Sequence, residues 1–159
     1  MSADQFTRSL ARRNALALLI LTVIFAFRVV TQLIQAWHPI RFLPPFEVWH
    51  SGALPYSWLV GTQVVIMAMC LLIVWKLFNN TVIPSLRKGR LLLVFGSIYF
   101  GGMCIRLFLG TTVASEHEWF GATLPTVFHL VLGSFVILYG RFHSLASQAF
   151  LEKQRDASA

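Results

Sequence analysis

Residues 15–37 read ALALLILTVIFAFRVVTQLIQAW, an apolar run in which Arg28 is the one charged residue. About 20 helical residues cross a hydrocarbon core of about 30 Å. Inside lipid a helix pairs its backbone groups within the segment, which an open strand cannot do. We therefore interpret residues 15–37 as a membrane-spanning helix. The run is too long for the apolar part of a signal peptide, so we expect it to stay uncleaved.

Three further apolar runs are long enough to span a membrane, at residues 57–78, 91–111 and 123–142. The segments between the first three runs are short and contain helix-ending Pro and Asn residues. Short connections favour antiparallel packing of successive helices. The sequence thus predicts one domain over residues 1–159, an all-α integral membrane protein. Its fold would be a four-transmembrane-helix, up-down-up-down bundle in which each helix packs against the next.

The composition supports this class. Hydrophobic residues make up 57% of the chain and charged residues 12%, whereas an ordinary soluble domain carries about 25% charged residues. A chain this apolar cannot cover a water-facing surface, and it is far too apolar to be disordered. A soluble globular domain and a disordered chain are both excluded.

The basic residues predict the orientation, because Lys and Arg accumulate in short cytoplasmic loops. They lie in the N-terminal tail, the second connection and the C-terminal tail: Arg8, Arg12, Arg13, Lys76, Arg87, Lys88, Arg90, Arg141, Lys153 and Arg155. The opposite side has only Arg41. Both termini are therefore predicted to be cytoplasmic, with a bacterial inner membrane as the expected location. The formal net charge of +7 is explained by this asymmetry and requires no nucleic-acid partner.

Several polar side chains lie within the spans, where they are costly and usually face the protein interior. At about 1.5 Å per residue, Arg28 is about 13 Å from the outer end of its helix, Arg106 about 8 Å and His129 about 9 Å. Gln32 and Gln63 are at about 8 to 9 Å. All five would therefore lie in the outer half of the membrane.

Helical spacing places these residues on stripes that can face one another. Together with Tyr99 they form the predicted ligand-binding set, here called the polar cluster: Arg28, Gln32, Gln63, Tyr99, Arg106 and His129. Glycines on the same stripes, including Gly133 and Gly140, would leave room for a ligand. Alternatively, these polar groups and glycines serve only to pack helix against helix.

The arginines need a negative partner, since the predicted spans contain no Asp or Glu. One source is the outer loops, where the candidate lid or counter-ion residues are Glu47, His50, Glu116 and Glu118. The other is an anionic or redox-active amphiphile such as a lipid headgroup, a haem propionate or a quinone, because the Arg fork binds carboxylate or phosphate bidentately.

Two other readings stay open. Haem would use His129 and a Met or His38 as axial ligands, and copper(I) would favour the soft set Met67, Met69, Cys70, Met103 and Cys104 with His129. The chain could instead be a non-catalytic subunit or assembly factor whose partner is a membrane protein or a second copy. No hydrolase, P-loop or paired-carboxylate motif is present, so whether a reaction is catalysed stays undecided.

Overall fold

The computed structural model describes residues 3–43, 45, 49, 55–113 and 123–158. This part of the chain forms α1 (Ala3–Trp37), α2 (Tyr56–Phe78), α3 (Leu86–Thr112) and α4 (Thr123–Ser158). All four helices are long and apolar enough to cross a membrane. The prediction of an all-helical protein with four candidate membrane spans is therefore confirmed.

All four helices are longer than predicted, α2 by one residue only. α1 begins at Ala3 instead of residue 15, and α4 continues to Ser158 beyond the predicted end at 142. Both extensions lack Pro and Gly and are rich in Ala, Arg and Gln, which favour helix. The basic ends of the chain are therefore continuations of α1 and α4 rather than separate tails. α3 begins at Leu86, directly after its N-cap Ser85.

The packing order differs from the chain order. α1 packs against α2 and α4, and α4 packs against α1 and α3, but no Cα of α2 lies within 8 Å of a Cα of α3. The expectation that every helix packs against the next one is therefore wrong for α2 and α3. The connection formed by residues 79–85 can span about 20 Å, which is two interhelical spacings. It is therefore long enough for α3 to begin away from α2. The Ser85 N–H donates to Nδ1 of His143 at 3.2 Å, which ties the start of α3 to α4.

Glycines bring α3 and α4 close together. A Cβ on Gly140 would lie 3.0 Å from both Leu92 Cβ and Leu93 N, and one on Gly133 would lie 3.2 Å from the Phe100 ring. The expectation that Gly133 and Gly140 leave room for a ligand is therefore wrong. The space beside these two glycines is filled by residues of α3, as is typical of small residues in membrane helices.

The buried interior has two chemically different parts. An apolar core joins α1, α2 and α4 through residues such as Leu18, Leu77 and Phe142. Further along α1, the buried side chains become polar: Arg28, Thr31, Gln32 and Gln35 are all at most 6% exposed. The same helix thus supplies an apolar face near its start and a polar face near its end.

Candidate functional site

Arg28 is the most unusual side chain in the interior. It is only 6% exposed, and its Nη2 donates a hydrogen bond to the carbonyl oxygen of Trp49 at 3.3 Å. Its guanidinium carbon lies 5.2 Å from the centroid of the Phe128 ring. Among the described residues its Nε has no hydrogen-bond partner. A carbonyl and an aromatic ring carry no net negative charge, so the described surroundings of Arg28 do not neutralise it.

Gln32 and Gln63 join α1 to α2. Nε2 of Gln63 donates to Oε1 of Gln32 at 3.3 Å, and the two residues are 4% and 0% exposed respectively. Gln32 lies one helical turn after Arg28, so both project from the same face of α1. Gln32 Nε2 and Gln63 Oε1 are buried, and neither has a hydrogen-bond partner within the described chain.

Tyr99 and His129 join α3 to α4. The Tyr99 hydroxyl lies 2.6 Å from Nδ1 of His129, with the two rings edge to face at 6.1 Å between centroids. When the phenol donates this bond, Nε2 of His129 keeps its proton and is a further donor. The Tyr99 ring is also stacked on Phe95, at 6.2 Å between centroids.

Both arginines act electrostatically on the second pair. The charges of Arg28 and Arg106 both act on His129, and Arg106 also interacts electrostatically with Tyr99. Arg106 is 6% exposed. The polar cluster therefore contains two hydrogen-bonded pairs, one on each side of the α1–α4 contact, with the arginines close to His129.

The residues suggested for copper are not gathered in the same way. Cys70 belongs to the apolar core, and Met103 is on α3, which does not pack against the helix that carries Met67 and Cys70. Within the described ranges, no group of three or more His, Cys, Asp or Glu residues is arranged to hold a metal ion.

The suggested lid and counter-ion residues Glu47, His50, Glu116 and Glu118 lie outside the described residues. Trp49, from the connection between α1 and α2 that also carries Glu47 and His50, is described and is 4% exposed. At the start of this loop, the Ile40 N–H donates to Oε1 of Gln35 at 3.0 Å. The connection between α1 and α2 therefore contributes directly to the surroundings of Arg28.

Two partners of Arg28 were not predicted. Phe128 directly precedes His129, but residues one position apart do not share a helix face, so the sequence did not point to it. The contribution of Trp49 is a backbone carbonyl, which every residue carries, so the sequence held no signal for it.

The buried donors without a described partner, Arg28 Nε and Gln32 Nε2, and the positive charge of Arg28 suit an anion or another strong acceptor. The four apolar helices that hold these groups indicate an integral multi-pass membrane protein. Comparisons with protein-family models, curated proteins and solved structures found no match to this chain.

Proposed function

We propose that this protein binds an anionic amphiphile in the polar cluster, in the outer half of a bacterial inner membrane. The observation that carries the proposal is Arg28: a nearly buried guanidinium with a carbonyl and an aromatic ring as its described partners. An unneutralised Arg at the centre of a membrane helix costs about 2.5–3.5 kcal/mol even on the lowest scale. A bound anion removes this cost.

The charge favours an anion over a neutral quinone. A quinone carbonyl can accept hydrogen bonds from Arg28 and His129, but it does not compensate the positive charge on Arg28. A phosphate or carboxylate group accepts the same bonds and also neutralises charge. The apolar chains of the amphiphile would lie among the lipid-facing side chains of the helices.

The membrane orientation is part of the proposal. We place both termini in the cytoplasm and the helices in up-down-up-down order. Contacts between helices support this order: Gly89 lies against Ser144, whereas Gly133 lies against Phe100, so later residues of α3 meet earlier residues of α4. The exposed basic residues at the starts of α1 and α3 support the cytoplasmic assignment. The polar cluster then belongs to the outer half.

The proposal is tested with Arg28→Gln in lipid nanodiscs, by measuring how strongly the protein prefers phosphatidylglycerol over phosphatidylcholine. A charge-assisted hydrogen bond contributes about 1.5–3 kcal/mol, so we expect Arg28→Gln to reduce the preference at least about tenfold. Arg41→Gln is the matched control, because Arg41 is exposed in the outer connection and its loss should change the preference little.

Circular dichroism and thermal unfolding establish that both variants keep the fold. An unchanged lipid preference in folded Arg28→Gln would contradict the proposal. Purification of the wild type with a stoichiometric protein partner and no bound amphiphile would also contradict it, and would favour a subunit or assembly factor instead.

A further inference from the structure

The Gln32–Gln63 pair restricts the chemistry of the ligand beyond its charge. Two primary amides that share one hydrogen bond always leave one amide nitrogen and one amide oxygen for other partners. Here these are Nε2 of Gln32 and Oε1 of Gln63. Turning both amides over exchanges the two residues' roles but still leaves one donor and one acceptor. The inference therefore does not depend on how each amide is oriented.

Burial makes both remaining atoms costly to leave without partners. Gln32 is 0% and Gln63 is 4% exposed, and an unsatisfied buried polar atom loses its bonds to water without replacement. Nε of Arg28, one turn away on α1, is a third buried atom with no described partner. The site thus offers two donors and one acceptor.

A simple anion satisfies only part of this set. Its oxygens accept from the Arg28 and amide N–H groups, but they cannot donate to the amide oxygen. A ligand that satisfies the whole set therefore also carries a donor. An ammonium group would place a second positive charge beside Arg28, and like charges repel. A hydroxyl donates without adding charge.

We propose that the amphiphile carries a hydroxyl next to its anionic group, so that the anion binds Arg28 and the hydroxyl donates to the glutamine pair. This inference rests on the proposed function and names its ligand class. The glycerol headgroup of an anionic phospholipid and the sugar of an anionic glycolipid both have this chemistry.

The test compares two probes in nanodiscs by native mass spectrometry. Phosphatidylglycerol carries the anion and two hydroxyls, whereas phosphatidylpropanol has the same charge and nearly the same size but no hydroxyl. We expect the wild type to bind phosphatidylglycerol about fivefold more tightly, as one net hydrogen bond provides. Glucuronosyl diacylglycerol, a glycolipid with a carboxylate and hydroxyls, is the third probe. Stronger competition by this glycolipid than by phosphatidylglycerol would identify a sugar as the preferred source, and the reverse result would identify glycerol.

The variant is Gln32→Met/Gln63→Met, which removes both amides at nearly constant volume. Replacing both partners of a buried bond by apolar groups is close to neutral for stability, so we expect a folded protein. It should bind phosphatidylglycerol and phosphatidylpropanol equally while still preferring both over phosphatidylcholine. Gln148→Met is the matched control, because Gln148 is exposed on α4, and it should behave as the wild type.

The outcomes separate the two proposals. Equal binding of phosphatidylglycerol and phosphatidylpropanol by the wild type would overturn the inference while leaving the anion preference intact. A fivefold preference that persists in the double variant would overturn it as well, because the glutamines would not be its cause. If the wild type shows no preference for anionic lipids over phosphatidylcholine, the result would instead refute the proposed function.

Discussion

Replacing Gly96 by Ala tests the close contact between α3 and α4. The added Cβ would lie 2.9 Å from Ile137 Cγ1, 3.1 Å from Val136 Cγ1 and 3.2 Å from Ile137 N. β-Branched side chains have one strongly preferred rotamer in a helix, so Ile137 and Val136 cannot easily move aside. Overpacking of this kind costs about 1–3 kcal/mol.

Gly102→Ala is the matched control on the same helix. A Cβ on Gly102 would have no neighbour within 4 Å, so this variant gains helix propensity, worth up to about 1 kcal/mol, without a clash. Because that gain is common to both variants, their difference isolates the packing cost. We expect Gly96→Ala to have a free energy of unfolding about 1–3 kcal/mol lower than Gly102→Ala.

The measurement is equilibrium unfolding of the two variants and the wild type in bicelles, followed by circular dichroism. Equal free energies of unfolding for Gly96→Ala and Gly102→Ala would refute the close α3–α4 packing. A lower value for Gly102→Ala than for Gly96→Ala would contradict it more strongly.

Two further predictions concern the orientation and the polar cluster. A membrane-impermeant maleimide should label Arg41→Cys in intact cells and Arg87→Cys only after permeabilisation, and the reverse pattern would invert the proposed topology. Tyr99→Phe should lower the free energy of unfolding by about 0.5–1.5 kcal/mol, because it removes the partly buried hydrogen bond between the Tyr99 hydroxyl and the His129 ring. Unchanged stability of this variant would show that the short Tyr99–His129 bond contributes nothing to the fold.

The helical class was predictable because it depends on apolar length alone, which residues 15–37 and the three later runs display directly. The packing order was not. The short connection suggested that α2 and α3 are neighbours. Instead, α3 packs against α4 and does not contact α2, and the Ser85 N–H at its start donates to His143 of α4. Such a choice depends on tertiary contacts that periodicity does not encode.

The polar cluster was partly predictable, since ionisable residues in a span usually face the protein interior. Depth placed Gln32 and Gln63 at the same level, and the stripes put Tyr99 and His129 on helix faces that can meet, but neither defined the hydrogen bonds. The glycines misled, because a stripe of small residues indicates close approach without revealing whether a ligand or a helix approaches. At Gly140 the approaching group is α3.

Native mass spectrometry together with an absorption spectrum of the gently purified wild-type protein tests the central claim most directly. The account predicts about one non-covalently bound anionic amphiphile per chain and no haem absorption. Its mass and fragments should reveal a phosphate or carboxylate group. Bare protein, or protein that retains only neutral lipid, haem or copper, would contradict the assignment of Arg28 and the polar cluster to anion binding.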